Sequence, residues 1–505
     1  MKILSNLLSR VGLVSQADLK KLHREIAQAA YRRGYAAAAN NRLFGDWSLS
    51  TQTQDAHLRS DLKIMRERAR ELCRDDDYAK KFQWELRSNV IGDKGITLQM
   101  QVKNPDGSLD KRANELIEEE WAEASKPENF TVMGTLSRPE VEGLSVQTKA
   151  RDGETILRMV DGYPDNKYRF AVQPFEADQL DHELNVPRLA NGNSIRMGVE
   201  LNAWRKPVAY YLLKDQPGDI FYSQSFQDRW ERVPAEDIIH DFIGSMFLQT
   251  RGETWYAQAC TRLKMLNGYE HAELVKARAS ACKGGFLEQD AEHAEYTGDG
   301  QDEQGNIVNE LAPGEIELLP PGIRFKEYDP SSPNTEFSNF RKAILRGVAA
   351  GLVTSYNSLA CDLEGVNYSS LRTAALSERD IWKLLQGLFI MKVEQRIFSR
   401  WLKMALLAKA IKLPAEKFDK FNRPKFVGRR WAWVDPEKDI KAAVMAINNR
   451  LTSRTAIVKE EGEDFEKIID EVADEESYAE SAGVDLPPVD PKAETSEQEP
   501  PAKDE

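Results

Sequence analysis

GVNYSSLRTAALSERD, Gly365 to Asp380, opens with small and hydroxyl-bearing residues and runs without a break into one of the longest helix-forming segments of a 505-residue chain. Asn367 or Ser369 can accept hydrogen bonds from the first free amides of that helix, so the local chemistry of Asn367, Tyr368, Ser369, Ser370 and Arg372 reads as a cap. A hydroxyl nucleophile would need a base in reach, and the segment holds neither a histidine nor a paired lysine. An anion site at the helix start, helped by Arg372, stays open beside the cap. What the cap serves depends on the elements around it.

Downstream, the helix is expected to reach about Leu413 and carries two apolar stripes. Ile381, Leu384, Leu388 and Met391 make one, and Ile390, Val393, Ile397, Trp401 and Met404 the other; their offset near Gly387 predicts a bend or a change of partner. Beyond Pro414 a basic, tryptophan-containing segment (Arg423 to Trp433) leads to further helices up to about Ala473. The remainder is rich in Glu, Pro and Ser, too polar to bury a core, and expected to be disordered.

Upstream lies a polar loop, GLVTSYNSLACDLEGV, Gly351 to Val366. A helix precedes it: Ser332 and Pro333 suit its cap and first position, and Phe337, Phe340, Ile344 and Val348 recur at helical spacing. Before that, glycines and prolines between Gly284 and Pro330 divide short strands into a compact insertion. Thr254 to Cys282 has no proline and places Tyr256, Ala259, Leu263, Leu266 and Tyr269 at helical spacing. From about 95 to 245 the pattern is mixed α+β, with a strand in Asp152 to Met159 and a hairpin in Ser194 to Leu213 around a turn at Asn202 to Lys206. A helical run from about Leu58 to Ile91 offers Leu62, Met65, Leu72, Phe82 and Leu86 to a core, and residues 1 to about 45 read as helical.

The length implies two to four packed units, and 41% hydrophobic with 30% charged residues implies a globular chain. No window approaches the roughly 18 consecutive apolar residues of a membrane span, and the start reads as an amphipathic helix of a cytosolic protein. Cys73, Cys260, Cys282 and Cys361 are scattered, which favours reduced, mostly buried thiols over disulfides or a zinc site. From Lys459 to Glu505 there are 18 Asp/Glu and 4 Lys, a net of −14 against −13 for the whole chain. The rest is therefore close to neutral, without the basic excess of a phosphate-neutralising DNA clamp.

Catalytic motifs are missing. There is no G-x-x-x-x-G-K-[ST], no G-x-S-x-G and no H-E-x-x-H, and the six histidines occur singly. His240, in DIIHDF, reads as a structural histidine at a strand end. Asp299, Gln301, Glu303 and Glu310 fall in an EF-hand-like register, but Gln304 stands where the loop requires glycine. Neither a catalytic residue, a metal site nor a cofactor is expected.

The order of α+β unit, helix, Gly/Pro-rich insertion, helix, polar loop, long bent helix and helical end resembles the portal proteins of tailed bacteriophages, closest to the lambda-type family. The stretches that carry the resemblance are Arg68 to Phe82 with Ile91 to Ile96, RDGETILRM, GVELNAWRKPVAYYLL, Arg232 to Phe242, Gln249 to Trp255 and DLEGVNYSSLR, spanning about 65 to 410. The resemblance implies a ring-forming α+β subunit of portal-type fold, dodecameric in the mature virion. Residues 1–59 would be an N-terminal helical extension, 60–253 an α+β wing, and 254–283 and 332–351 two stem helices flanking a clip at 284–331. A tunnel loop at 352–366, a long bent wing helix at 367–413, a helical crown at 414–474 and an acidic disordered tail at 475–505 would complete it.

The same resemblance implies double-stranded DNA passing through the tunnel without sequence preference, and docking of the terminase large subunit and then of head-completion or tail-adaptor proteins. Glu288, Asp290, Glu303, Glu310 and Glu315 would serve the clip. Major capsid and scaffold proteins would be further partners, with no membrane involved, at the capsid portal vertex of the virion and in host cytoplasm during assembly. In the tunnel loop, Thr354, Ser355, Tyr356, Asn357 and Ser358 would touch phosphates with neutral donors, while Asp362 and Glu364 repel them, so that contacts stay weak. A terminase-like enzyme would need a P-loop and a carboxylate cluster for two metals. A smaller head-tail adaptor or scaffold would be a shorter chain without an insertion between two helices.

Overall fold

The computed structural model describes residues 20, 21, 24, 51–218, 229–281, 285–289, 300–301, 307–308, 323–327, 336–431, 436–460 and 465–484. Two compact units divide the chain at Ala56. In the first, residues 20, 21 and 24 are helical and the start of the next helix is described. Everything below concerns the second.

Helices α1 (Gln54–Asp75) and α2 (Asp77–Leu86) meet at Asp76, whose carboxylate accepts from the Ala79 amide at 2.8 Å and caps α2. A π turn, Arg87–Ile91, continues α2 and leads to β1 (Thr97–Met100). Next come α3 (Lys111–Ala124), the single turn α4 (Pro127–Phe130) and α5 (Arg138–Asp152), then β2 (Glu154–Asp161) and β3 (Phe170–Phe175). β4 (Ser194–Arg196), β5 (Val199–Leu201), β6 (Pro207–Leu213) and β7 (Trp230–Pro234) form an antiparallel four-stranded sheet in chain order, and β8 (Ile238–Phe242) joins a second sheet ordered β3-β2-β8. The expected hairpin at 194–213 is thus two hairpins, because Met197 and Gly198 both take positive φ and turn the chain once more before Val199.

Strand β2 belongs to two cores. Its alternate residues point to opposite faces. Leu157 and Met159 join the main core with Phe82, Trp121, Phe398 and Trp401, while Ile156 packs with Val199, Leu201, Tyr210, Leu212 and Val233 of the four-stranded sheet.

Glu154 lies on that second face, fully buried. Its carboxylate accepts from Arg66 Nη2 of α1 at 2.6 Å, from Arg251 Nε at 2.8 and 3.0 Å, and from the Gly252 amide at 2.9 Å, with His240 Nε2 at 2.9 Å. Arg251 Nη2 also donates to Glu154 Oε1 at 2.5 Å, and its remaining donors go to the Ala177, Leu180 and Met197 carbonyls. Every N–H of a buried guanidinium is thereby satisfied. Two similar sequences, R-D-G-E-T at 151–155 and R-G-E-T at 251–254, cross here, and a β-carbon on Gly252 would stand 2.0 Å from the Gly153 carbonyl oxygen. The structural reading of His240 agrees with this geometry.

Helix α6 (Cys260–Ala281) follows, with Tyr256 and Ala259 buried in the turn before it and Leu263 and Leu266 in its first turns. In the insertion, β9 (Gly285–Gln289) pairs antiparallel with β12 (Ile323–Glu327), and β10 (Gly300–Gln301) with β11 (Ile307–Val308). Glu288 sits opposite Arg324 in the first pair. Asp290, Asp299, Glu303, Gln304, Glu310 and Glu315 lie outside the described residues, as do Cys282 and residues 332–335, so the cap expected at Ser332 and Pro333 is not described. Helix α7 runs Phe337–Leu352, and Glu336 takes its cap position. Its buried stripe is Leu345, Val348, Ala349 and Leu352; Phe337 and Phe340 instead meet Tyr269 of α6, with ring centroids 5.6 and 5.2 Å apart.

The polar loop contains a single-turn helix, α8 (Tyr356–Ala360), and the long helix then begins as α9 (Tyr368–Phe389). A π turn at Ile390–Glu394 passes it into α10 (Gln395–Leu407). Where a bend or a change of partner was expected, the structure has this π turn, which begins three residues beyond Gly387. The helix ends at Leu407, short of Leu413, because Lys409 enters the left-handed region at φ 58°. The first stripe also differs from expectation. Leu384 is 63% exposed and Met391 is exposed, whereas Trp382, Leu385 and Phe389 face the core; beyond the π turn Val393, Ile397 and Trp401 are buried as expected. Within α9 the buried face thus lies one residue further round than the expected stripe.

The far end of the chain returns to the start. A single turn, α11 (Phe418–Phe421), precedes β13 (Pro424–Val427), which pairs antiparallel with β1. Helices α12 (Pro436–Asn448), α13 (Arg454–Glu460) and α14 (Phe465–Ala482) close the described part. α14 runs past the residue 475 boundary set for the disordered tail, since its glutamates and alanines are good helix formers and no proline interrupts it before Ala482. Cys73 and Cys260 are half-buried and Cys361 is exposed, so burial of the thiols holds for only part of the set. Among the described residues no helix is long and apolar enough to cross a membrane.

Burial alone would raise the Glu154 carboxyl, but Arg251, Arg66 and His240 outweigh it and hold it well below the usual range. A depressed carboxylate contributes stability that is present above its unfolded value and lost as pH falls through its folded one. Glu154→Ala strands two buried guanidinium groups and should cost about 3–5 kcal/mol, read by denaturant unfolding at neutral pH. Acidification from pH 5 downward should destabilise the parent more steeply than the variant. Separately, Leu385→Asp should leave the chain insoluble or molten, while Leu384→Asp keeps native far-ultraviolet dichroism and protease resistance.

Candidate functional site

The loop between α7 and α9 is built on a carboxylate that lies further along the long helix. Helix α7 ends with Val353 at φ 58°, a conformation that costs a β-branched residue of order 1–3 kcal/mol. From there Thr354 Oγ1 donates to Glu378 Oε1 at 2.7 Å, the Ser355 amide donates to the same oxygen at 2.9 Å, and Ser358 Oγ donates to Oε2 at 2.9 Å. Ser355 Oγ caps α8, accepting from the Ser358 amide at 3.1 Å. Leu359 is buried beneath the turn.

A second carboxylate approaches from α2. Glu85 Oε2 lies 3.3 Å from Thr354 Oγ1 and its other oxygen 3.5 Å from Lys81 Nζ. Burial raises the Glu85 carboxyl above its ordinary value; Lys81 opposes the rise and Glu378 adds to it. Thr354 therefore sits between two acids, one from each wall.

The rest of the loop is tied by ion pairs. Tyr356 donates its hydroxyl proton to Asp362 Oδ2 at 2.6 Å, and Arg346 lies 5.4 Å from the centre of the tyrosine ring. Lys342 of α7 is 2.8 Å from Glu364 and 3.4 Å from Asp362. Hydrogen bonding by Tyr356 first, then by the Glu364 amide, holds the Asp362 carboxyl below its ordinary value. Cys361 ends α8 at φ 50°.

At the opening stretch, the Asn367 side chain accepts from the Ser370 amide at 2.8 Å and caps α9. Thr373 Oγ1 donates to the Ser369 carbonyl at 3.0 Å. Arg372 is not held for an anion: its Nη2 lies 2.6 Å from Asp439 of α12, and Lys438 lies 5.9 Å over the Tyr368 ring. Tyr368, Ser369 and Ser370 are themselves exposed. Of these residues the Asn367 side chain is the one that caps α9, and Arg372 ties the long helix to α12.

The structure brings Thr354, Ser355, Tyr356, Ser358, Asp362 and Glu364 into one loop but turns the donors of Thr354, Ser355, Tyr356 and Ser358 onto acids of the same chain. Asn357 is half-exposed. The decisive residues, Glu378, Glu85 and Lys342, carried no signal in sequence. Glu85 is buried on α2 while Glu378 and Lys342 are half-buried on α9 and α7, and only the packing of these helices makes them neighbours of the loop. Among the described residues no group of His, Cys, Asp and Glu is arranged to hold a metal.

Residues 40–386 match the family model described as phage portal protein, lambda family. A probable portal protein of Halomonas phage phiHAP-1 is 36% identical over 468 residues, covering 92% of this chain and 90% of its own. The portal protein of Escherichia phage N15 is 21% identical over 489 residues, covering 87% of this chain and 89% of its own, and portal protein B of Escherichia phage lambda is 22% identical over 60% and 62%. Among solved structures, a chain from the neck of an empty GTA particle computed with C6 symmetry aligns at a TM-score of 0.43 and 12% identity, over 80% of this chain and 93% of that one.

Asn367→Ala removes the cap from α9 and should cost about 1 kcal/mol of stability, measured by thermal unfolding, with Asn367→Ser recovering most of it.

Proposed function

The chain belongs to the lambda family of phage portal proteins, structural proteins and not enzymes, and we propose from that premise that its copies form a ring at one capsid vertex through which DNA is packaged and later ejected. The observation that carries the reading is an order of elements within and just beyond the family match: α6, a β-stranded insertion, α7, a capped turn, and a long helix with a π turn. In this reading 60–253 is the wing, α6 and α7 are the stem, and the insertion is the clip that docks the terminase large subunit and then head-completion or tail-adaptor proteins. Glu288, Asp290, Glu303, Glu310 and Glu315 give that clip its acidic character. Scaffold and major capsid proteins surround the ring during assembly in host cytoplasm.

Charge supports a conduit over a clamp. With the acidic end set aside the chain is close to neutral, and fixed cationic pairing with phosphates would release counterions and bind DNA tightly. Residues 352–366 are the tunnel loop in this reading. They offer neutral donors at Thr354, Ser355, Tyr356, Asn357 and Ser358, with Asp362 and Glu364 already answered by Lys342.

Native mass spectrometry with negative-stain imaging of the purified chain should show rings of about a dozen subunits with an open centre; a uniform monomer or dimer across concentration and salt would count against the reading. Replacing Thr354 to Ser358 with glycines should leave ring mass unchanged and lower the amount of DNA packaged or retained. Loss of the ring itself would place this segment in the assembly contacts instead of the tunnel.

A further inference from the structure

The apolar stripe expected to be core on α9 is left largely uncovered. Leu384 and Met391 are exposed, Leu388 is half-buried, and Gly387 between them faces solvent. Positions i, i+3, i+4 and i+7 of a helix surround one hole, into which a knob from another element fits. Here those positions are Leu384, Gly387, Leu388 and Met391, the last inside the π turn. Glycine is the least favourable helix-interior residue after proline, and among the described residues a β-carbon at 387 would meet no atom within 4 Å. The packing described within the chain therefore does not call for glycine there. Its effect is to deepen the hole by one side chain.

A knob of matching character stands on the loop after β8. Met246, Phe247 and Leu248 are all exposed, Phe247 completely. Gln249 fixes that loop: its Oε1 accepts from the Ser245 amide at 2.8 Å and the Met246 amide at 3.3 Å, and its Nε2 donates to the Arg251 carbonyl at 2.8 Å. Arg251 is held in turn by Glu154. The aromatic ring is thus presented from a rigid base, so little ordering cost is left for binding. Lys392 Nζ donates to the Phe242 carbonyl at 2.6 Å and brings the end of β8 against the π turn. Phe247 does not fill the hole of its own chain, since ring and hole are both exposed.

We propose that Phe247 of one copy of this chain seats in the hole formed by Leu384, Gly387, Leu388 and Met391 of a second copy. The two halves match in charge as well as in shape: residues 242–250 contain no ionisable side chain, and neither do the four corners of the hole. Interface cores are depleted of charge in the same way. Phe247 brings ~200 Å² of apolar surface. With Met246, Leu248 and the exposed corners, the contact covers roughly 700 Å², the apolar core of an interface of standard size, about 1,600 Å². A chain that carries both a knob and an unfilled hole joins head to tail, each copy giving to one neighbour and receiving from the other. That the series closes into a ring at one capsid vertex rests on the portal reading; the contact itself does not.

Photocross-linking of the full-length chain, with p-benzoylphenylalanine in place of Phe247, tests the contact. The expected product is a covalent dimer on a denaturing gel, in which the peptide holding position 247 is joined to one spanning 384–391. In parallel, Gly387→Leu fills the hole and Phe247→Ser removes the knob. Each should raise the concentration at half-assembly, read by native mass spectrometry, at least about tenfold, with far-ultraviolet dichroism unchanged. Gly387→Ala leaves most of the hole open and should fall between the parent and Gly387→Leu. If Gly387→Leu misfolds, the cross-link on the otherwise unaltered chain decides.

Rings that persist in Gly387→Leu and Phe247→Ser, or cross-links confined to other sites, overturn the proposal and leave the portal reading standing. The expected cross-link in small assemblies that never close into a ring does the reverse. A monomer without the cross-linked product removes both.

Discussion

The Glu154 carboxylate is the constraint on which the second unit depends. It is fully buried, and α1, β8 and the segment after β8 each bring it a partner: Arg66, His240, and Arg251 with the Gly252 amide. Removing any one partner leaves a charge in a medium where a lone ion is costly, so the partners are retained as a set. This fixes how β2 is shared between two cores. Its odd-numbered residues reach the aromatic cluster around Trp121 and Trp401, and its even-numbered residues the four-stranded sheet. The glycines at 153 and 252 follow from the same demand, because the two backbones approach too closely for any β-carbon.

A second set of contacts joins the two ends of this unit. β13 pairs with β1, and Gln386 Nε2 of α9 donates to the carbonyls of Asn89 and Arg429 at 3.2 and 3.1 Å. Gly428 leaves room for that amide; a β-carbon there would stand 2.7 Å from it. At the π turn of the long helix, Glu394 lies 3.4 Å from Arg138, which also pairs with Glu142. Burial lifts the Glu142 carboxyl well above its usual range, with Glu394 adding to the rise and Arg138 opposing it. One guanidinium between two buried acids is balanced when one acid keeps its proton. The π turn is thus anchored on α5 as well as by its own backbone.

These anchors bear on function through the loop they frame. A rigid, capped α9 and a packed α7 hold the ends of residues 353–366, and the loop is positioned by one carboxylate rather than by a core. Polar donors that sequence reading would leave facing outward are satisfied internally.

The sequence by itself determined the broad order of helical and stranded segments and the family. Helical periodicity at 254–282, glycine and proline in the insertion, turn residues at 202–206 and an asparagine before an uninterrupted helical run are local signals, and local backbone preference is enough to read them. It also determined the neutrality of the body and the lack of catalytic motifs. Only the tertiary structure decided which face of the long helix is buried, with Trp382, Leu385 and Phe389 packed while Leu384 stands in solvent. Only the structure showed that Arg372 pairs with Asp439, that β13 pairs with β1, and that Glu378 and Glu85 converge on Thr354. Each of these joins residues distant in sequence, where neither spacing nor propensity carries information and the outcome depends on how whole elements pack.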